Sequence, residues 1–314
     1  MSDPAHDVHP ALRPLLDGGV DALRLGDIDA LRAARRLAAV QRSGPPQAVR
    51  NVVDVAEAGV RMRVYEPMDR TSAATLAVIH GGGWVWGGID EIDALSRALA
   101  NATGRLTAAV GYRLAPEHRY PVALDDMSAA ISWLRTNAQT WGANGHDLAL
   151  LGLSAGGNLA AATSTRLRGS AFEIAAQVLV YPMLDPSANS ASAHRYASLP
   201  TLSLERVAWF WAQYAPGRTT EPGVAPAFEP DVTGLPPTFL VLAEHDVLRD
   251  EGLAYAERLR AASVPTACTV VPHVVHGFLP MAGLVPQVCA GVVSDIAQWL
   301  AGVPTGFRTG TATP

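Results

Sequence analysis

A serine between two glycines is the residue of this chain best suited to chemistry. Gly152, Ser154 and Gly156 form a G-x-S-x-G motif between the apolar run 148–151 and an alanine-rich helical pattern that continues to residue 167. In so short a turn between a strand and a helix, the glycines remove Cβ atoms that would clash, and the serine hydroxyl is exposed at the tip. The motif therefore predicts a nucleophilic serine.

Two other interpretations of this stretch are weaker. One is a small-residue turn without chemistry. The other is a dinucleotide-binding loop, because Gly152, Ser154 and Gly157 have the spacing of G-x-G-x-x-G and Glu173 follows at roughly the expected distance. However, the Ser154 side chain would obstruct a pyrophosphate, and Glu173 precedes the next apolar run, whereas a ribose-binding acid follows it.

A serine hydroxyl becomes a strong nucleophile only when a base accepts its proton and a carboxylate orients that base. In an open α/β sheet such groups collect where strands end. Polar residues follow four apolar runs, at 80–83, 152–157, 244–246 and 273–276. In chain order these runs offer a serine, an acid and a histidine, which is one of the orders in which such triads occur.

The acid is predicted to be Asp246, because it lies in the loop directly after a strand. Asp250 and Glu251 open a helix, where capping and the helix dipole explain both without catalysis. The spacing does not decide whether the base is His273 or His276. Position favours His276 only weakly, because a glycine follows it and leaves its loop free to swing toward the serine.

A second glycine-rich loop, with the sequence HGGGW at residues 80–84, follows a short apolar run. Three consecutive glycines free the backbone to aim N–H groups into space rather than into a sheet. Such donors, together with the N–H of Ala155 after the serine, suit the negative oxygen of a tetrahedral intermediate. The two loops are therefore predicted to form an oxyanion hole.

Alternating strands and helices must position these loops. Helices are predicted at residues 11–16, 27–41 (with Asp27 as N-cap), 91–102, 122–137, 154–167, 204–214, 250–262 and 287–300. Strands are predicted at 49–56 and 60–65, as an antiparallel hairpin, and at 75–79, 106–112, 147–151, 174–181, 238–243 and 267–271. This pattern predicts an α/β fold with a mostly parallel sheet of about eight strands, flanked by helices. The alternation of strands and helices stops at 184–232, which predicts a lid-like insertion.

Composition and charge exclude several classes of partner. The net charge of −5 and the scattered 24 Lys and Arg residues give no basic face for nucleic acid. No apolar run approaches the length of a membrane span. The first residues, MSDPAHDVHP, have neither the basic nor the apolar character of a signal peptide, so we expect a cytoplasmic protein.

Five motifs in this order resemble the hormone-sensitive lipase family of α/β-hydrolases, in its bacterial esterase branch. They are HGGGW at residues 80–84, YRLAPEHRYPVALDD at 112–126, GLSAGGN at 152–158, HDVLRDEG at 245–252 and HGF at 276–278. The resemblance implies an α/β-hydrolase fold with a helical cap, and hydrolysis of short- to medium-chain carboxylic esters without a cofactor or a metal. The functional residues that it implies are a triad of Ser154, Asp246 and His276 and the oxyanion donors Gly82, Gly83 and Ala155.

The resemblance also implies how the chain is divided. We expect N-terminal cap helices at 1–46, the hydrolase core at 47–183 and 233–304, and a cap insertion at 184–232. A mobile tail is expected at 305–314. A homodimer is common in the family, although nothing in these residues indicates one.

Two residues depart from the family pattern. Leu153 stands where relatives commonly carry Asp, so a hydrogen bond that would brace the serine turn is missing. His273 stands where a small residue, often glycine, is frequent. A histidine there would narrow the rim of the site or add a second titrating group, and the sequence leaves both effects open.

Aromatic residues near the predicted site are candidates for the lining of an acyl pocket, although packing in a core explains each equally well. They are Trp84, Trp86, Trp209, Phe210, Trp211 and Tyr214. The same motifs would also serve an amidase, a lactonase or a deacetylase of a specific metabolite. A small-ligand-binding protein without catalysis is a further alternative, against which the complete triad argues.

Overall fold

A computed structural model of the chain describes residues 7–17, 28–57 and 59–303. Two predictions lie outside these residues: the N-cap role of Asp27 and the mobile tail at 305–314. Within the described ranges, no helix has both the length and the apolar composition needed to cross a bilayer.

An eight-stranded, mostly parallel sheet forms the centre of the fold, as the alternation of elements predicted. The strands are β1 (Asn51–Glu57), β2 (Val60–Glu66), β3 (Thr75–Ile79), β4 (Leu106–Gly111), β5 (Leu148–Leu153), β6 (Ala176–Val180), β7 (Thr238–His245) and β8 (Thr266–Val275). Their spatial order is β1-β2-β4-β3-β5-β6-β7-β8. The pairs β1–β2 and β2–β4 are antiparallel, and the other neighbouring pairs are parallel. The end of β5 therefore lies near the middle of the sheet, between β3 and β6.

The helices of the described residues agree with most of the predicted ones. They are α1 (Ile28–Arg42), α2 (Asp93–Thr103), α3 (Val122–Asn137), α4 (Ala155–Leu167), α5 (Ala191–Arg195), α6 (Leu204–Tyr214), α7 (Arg249–Ala261) and α8 (Pro286–Gly302). The short helix α5 was not predicted. The predicted helix at 11–16 is a 3₁₀-helix, Pro10–Leu15, and Pro14 inside it lacks the N–H that an α-helix would need there.

Each face of the sheet is buried by its own helices, because successive side chains of a strand point to opposite faces. All five residues of β3 are buried. Leu76 and Val78 pack in one apolar cluster with residues of α2 and α8, whereas Ala77 and Ile79 pack in the other with residues of α3, α4 and α7. The two clusters fix the sheet between the helical layers and so fix the loops at its carboxyl end.

The last strand is longer than its pattern predicted, because it contains a bulge. β8 was expected to end at residue 271, but Ala243 of β7 pairs with Val271 and His245 pairs with Val275. Two residues of β8 are therefore extra at this point, which bends the strand. Pro272 and His273 lie inside the bulge and interrupt the apolar alternation. The predicted strand therefore ended at residue 271.

Candidate active site

The predicted nucleophile lies in a strained turn. Ser154 alone connects β5 to α4 and has φ 55° and ψ −116°, a conformation that costs a non-glycine residue about 1–3 kcal/mol. Its N–H donates to the Val180 carbonyl of β6 at 2.9 Å, which holds the turn against the sheet. A side chain at Gly156 would overlap the Ile79 carbonyl, so a glycine there lets α4 begin this close to β3.

The structure brings Ser154, His276 and Asp246 together from the ends of three strands. His276 Nε2 lies 2.9 Å from Ser154 Oγ, and His276 Nδ1 lies 2.7 Å from Asp246 Oδ2. The Asp246 side chain is fully buried, and its other oxygen accepts the Leu248 N–H at 3.0 Å. The imidazole is thus within proton-transfer distance of the hydroxyl, with a carboxylate on its other side.

Tyr181, which the motifs did not single out, packs against the imidazole. It follows β6, the strand between β5 and β7, and it is buried with φ 37°. Its ring centroid lies 4.8 Å from that of His276, and its N–H donates to the Val241 carbonyl at 2.7 Å. The sequence pattern placed Tyr181 inside the strand 174–181. Its position at a strand end, the rule that selected the other loops, was the signal available to find it.

The HGGGW loop lies beside the serine turn because β3 and β5 are parallel neighbours that end side by side. A Cβ on Gly81 would lie 3.3 Å from Ser154 Cβ. Within the described residues, no protein acceptor takes the N–H of Gly82 or Gly83. Ala155 is the first residue of α4, so its N–H has no acceptor within the helix either. These are the donors that the resemblance implied for an oxyanion.

His80 holds the start of this loop. It is buried, its ring stacks on Tyr112 with centroids 4.2 Å apart, and its Nδ1 lies 2.7 Å from the Gly81 carbonyl oxygen. The Tyr112 hydroxyl donates to the His80 carbonyl at 3.2 Å. Burial lowers the pKa of His80 to about 4, because the interior disfavours the charged ring. His80 is therefore neutral at pH 7, and its ring N–H can donate to Gly81.

Asp250 and Glu251 lie in the first turn of α7, where the helix dipole favours acids, as expected. The expectation that they cap the helix is wrong, because no side chain of the described residues forms a cap hydrogen bond at the start of α7. Glu251 is buried and accepts the N–H groups of Leu184 (2.7 Å) and of the next residue (3.3 Å). Burial raises the pKa of Glu251 well above its ordinary value. Asp250 accepts the Ser192 N–H of α5 at 2.7 Å. Both carboxylates therefore brace the start of the insertion, and Asp246 is the acid that contacts the histidine.

The aromatic residues named as pocket candidates form a cluster between the HGGGW loop and α6. The Trp84 ring stacks on Tyr214 with centroids 4.3 Å apart and lies 4.6 Å from the Trp211 ring. The Trp86 ring meets Phe210 edge-on at 4.6 Å. These five residues are buried. The contacts support packing, and a pocket lining stays a prediction.

Phe210 also constrains the loop backbone directly. Gly83 has φ 58°, and a Cβ on it would overlap the Phe210 ring. Trp209, the remaining candidate, is half-buried and has its ring centroid 5.8 Å from that of Trp86. Helix α6 therefore fixes the position of the loop that carries the predicted oxyanion donors.

The two departures from the family pattern have separate structural settings. Leu153 is buried in the apolar cluster that contains residues of α2 and α8, where its side chain packs against apolar groups. His273 lies in the β8 bulge, with its N–H donating to Glu244 (2.8 Å) and its Nδ1 2.8 Å from the Asp7 carbonyl. It has φ 60°, a conformation that favours glycine, the residue that the resemblance gives as frequent at this position. His273 is not in the hydrogen-bonded row with Ser154.

Known proteins with similar sequences and structures include several ester hydrolases. A family model described as the alpha/beta hydrolase fold matches residues 76–280. The ethyl acetate hydrolase of Pseudomonas putida is 37% identical over 240 residues, which cover 74% of this chain and 75% of that protein. The carboxylesterase NlhH of Mycobacterium tuberculosis is 35% identical over 295 residues, which cover 89% of this chain and 91% of that protein.

A solved structure of an ester hydrolase from the metagenome of Lake Arreo, in complex with a bipyridine phosphonate derivative, gives a TM-score of 0.85 at 35% identity. The match covers 93% of this chain and 98% of that one. The matched family region contains the serine turn, the HGGGW loop, the Asp246 loop and the HGF motif. The chain therefore belongs to the hormone-sensitive lipase family of α/β-hydrolases, the family that its five motifs resemble.

Proposed function

We propose that this protein is a carboxylesterase that hydrolyses short- to medium-chain carboxylic esters through an acyl-enzyme on Ser154. The observation that carries the proposal is the hydrogen-bonded row of Asp246, His276 and Ser154 beside N–H groups that have no acceptor among the described residues. The names of the relatives, an ethyl acetate hydrolase and a carboxylesterase, support this class of reaction.

In the acylation step, His276 Nε2 accepts the proton of Ser154 as Oγ attacks the ester carbonyl carbon. Asp246, on the other ring nitrogen, keeps the imidazole in the right orientation and stabilises its transient positive charge. When the tetrahedral intermediate collapses, His276 returns this proton to the departing alcohol. The acyl group then remains on Ser154 as an ester.

The negative oxygen of the intermediate needs donors that are in place before it forms. The N–H groups of Gly82, Gly83 and Ala155 fill this role in the proposed mechanism, since none of them has a competing acceptor in the part of the chain that the structure describes. Donors fixed in advance require no reorganisation at the moment of reaction, which is why a rigid loop matters. In deacylation, His276 accepts a proton from a water molecule as that water attacks the acyl carbon, and the same donors stabilise the second intermediate. Its collapse breaks the bond to Ser154 Oγ and releases the carboxylic acid, and His276 returns the proton to Oγ.

The proposed cap consists of residues 1–46 and 184–232 on the core formed by 47–183 and 233–304. In its first part, Arg32 of α1 donates to the Val85 and Ala115 carbonyls and forms an ion pair with Glu117 (2.8 Å). These contacts attach α1 to the loops after β3 and β4. In its second part, α6 packs on the HGGGW loop through Phe210. These contacts of α1 and α6 with loops at the carboxyl end of the sheet support the assignment of both segments to a cap.

Replacing the nucleophile tests the proposal. Ser154→Ala should lower kcat for p-nitrophenyl acetate by about 10⁶-fold, because it removes the hydroxyl that His276 contacts and that attacks the ester. Ser187→Ala, which removes an exposed serine of the insertion, is the matched control and should keep wild-type activity. Circular dichroism should show the same fold for both. If Ser154→Ala retains more than a small residual activity, the assignment of the nucleophile is wrong.

The nature of the scissile bond and the acyl length require a substrate panel. Esters of increasing acyl length, with the matching amides and lactones, should show the highest kcat/KM for short and medium esters. A preference for an amide or a lactone would favour the alternative enzymes that share these motifs. A cytoplasmic location and a homodimer stay predictions.

A further inference from the structure

Four side chains that bind metals well lie together beside the triad and take no part in the proposed mechanism. Asp7, Glu244, His245 and His273 each place one ligand atom within 4.8 Å of all the others. His245 Nε2 lies 3.7 Å from Glu244 Oε2 and 3.8 Å from Asp7 Oδ2. His273 Nδ1 lies 3.2 Å from Asp7 Oδ1 and would exchange its hydrogen bond to the Asp7 carbonyl oxygen (2.8 Å) for a bound metal ion. The donor set is two imidazoles and two carboxylates.

His245 is the member of this cluster that lacks a partner. Its side chain is 3% exposed, yet neither ring nitrogen has a hydrogen-bond partner among the described residues. An unpaired polar group in the interior is costly, so most such groups are satisfied by protein, water or an ion. The carboxylate oxygens of Asp7 and Glu244 nearest to Nε2 lie 3.8 and 3.7 Å away, beyond hydrogen-bond distance. A cation between them would satisfy the imidazole and both carboxylates together.

The backbone holds the other ligands in place. His273 stands in the β8 bulge with φ 60°, and its N–H donates to Glu244 Oε2 at 2.8 Å. The N–H of His9 donates to the His273 carbonyl at 2.7 Å, and Val8 is buried. These contacts anchor the amino-terminal segment to β8, which is why Asp7 reaches a site built from the ends of β7 and β8.

We propose that Asp7, Glu244, His245 and His273 bind one divalent cation, with Zn²⁺ as the best fit. Two imidazole nitrogens favour Zn²⁺ over Mg²⁺ and Ca²⁺, which prefer oxygen ligands. Ligand atoms about 2.1 Å from a tetrahedral ion lie about 3.4 Å from one another, so small side-chain rotations close the observed distances. Asp246 directly follows His245 in the chain. The ion would therefore tie the amino-terminal segment to both loops that supply the acid and the base.

Calorimetric titration of the full-length, tag-free, chelator-treated protein with ZnCl₂ tests this site. We expect one Zn²⁺ per chain at micromolar concentration, and Zn²⁺ should raise the Tm because it binds only the folded state. Mg²⁺ and Ca²⁺ at the same concentrations should not bind. The proposal is overturned if Zn²⁺ does not bind in this range, or if Mg²⁺ binds equally well.

Variants separate this site from surface histidines elsewhere. His273→Gly removes an imidazole and suits φ 60°, so the variant should fold. We expect it to weaken Zn²⁺ binding at least about tenfold and to abolish the rise in Tm. Asp7→Asn should do the same through loss of a carboxylate. His118→Ala, at an exposed position outside the cluster, is the matched control and should bind as the wild type does. Wild-type affinity in both His273→Gly and Asp7→Asn would place the ion elsewhere and refute the proposal.

Discussion

Three carboxylates follow β7 closely, and their contacts give each a different role. Asp246 accepts the Leu248 N–H with one oxygen and contacts His276 with the other. Asp250 and Glu251 instead accept backbone N–H groups of the insertion. All three are acids near the end of the same strand, so residue type and position do not distinguish them. The groups that their oxygens contact do.

Asp246→Asn tests this division of roles. An amide cannot stabilise the imidazolium and favours the wrong imidazole tautomer, so kcat/KM for p-nitrophenyl acetate should fall about 10⁴-fold. Asp250→Asn is the matched control, because it changes a neighbouring carboxylate in the same way. We expect the control to keep activity within about tenfold of wild type, since Asp250 contacts α5 rather than His276. A larger loss for Asp250→Asn than for Asp246→Asn would contradict the roles.

At the scale of residues, the sequence predicted the members of the triad. It did not predict the hydrogen bonds of the neighbouring acids. Ser154 and Asp246 followed from position at strand ends, and the resemblance chose His276 over His273. Spacing alone left that choice open, because both histidines lie near the end of β8 and the bulge between them is invisible in the pattern. The contacts of Glu251 could not be predicted, since they join segments distant along the chain.

At the scale of elements, the predicted oxyanion loop depends on a neighbouring strand and on a helix of the insertion. The pairing of β3 with β5 brings the loop beside Ser154. Helix α6 then limits its movement, because Phe210 occupies the space into which a side chain at Gly83 would project. The geometry of the N–H donors is therefore set by packing outside the loop itself.

Gly83→Ala should disturb these donors. The added Cβ overlaps the Phe210 ring, and φ 58° is unfavourable for alanine, so the loop must shift. We expect kcat to fall about 10²- to 10³-fold, the cost of one lost oxyanion donor, with a smaller change in KM. Gly88→Ala is the control, because nothing lies within 4 Å of a Cβ there. Equal kcat values for the two variants would show that the position of this loop does not matter for turnover.

Most elements were predicted because strands buried on both faces read as continuous apolar runs between helical patterns. The helices Val122–Asn137 and Leu204–Tyr214 have the predicted ends. The pattern failed where local sequence does not decide structure. The five residues of α5 are held by Asp250 and by the Val247 carbonyl, and the β8 bulge is set by its pairing with β7.

At the scale of the whole molecule, titratable groups that become buried on folding make the stability depend on pH. His80 is one of them, since it lies under the HGGGW loop with its ring against Tyr112. Burial keeps its pKa at about 4, whereas a histidine in the unfolded chain has a pKa near 6.5. The unfolded chain therefore takes up a proton at higher pH than the folded protein does, and the stability that neutral His80 contributes is lost as the pH falls from about 6.5 to about 4.

This linkage predicts a measurable difference in acid stability. Between about pH 7.5 and pH 4.5, the free energy of unfolding of the wild type should fall by about 2–3 kcal/mol more than that of His80→Asn. Urea unfolding of both proteins at the two pH values gives this difference directly. Asparagine does not titrate here, so other acid-sensitive groups cancel in the comparison. Identical losses in the two proteins would mean that His80 is protonated in the folded state or does not contribute.

Covalent labelling with diethyl p-nitrophenyl phosphate is the most direct measurement of the central claim, that Ser154 is a nucleophile activated by His276. We predict one diethylphosphoryl group per chain, located on Ser154 by peptide mass spectrometry, with p-nitrophenol released in step with the loss of esterase activity. His276→Ala should be labelled far more slowly. Inactivation through another residue, or full esterase activity in protein labelled at Ser154, would contradict the claim.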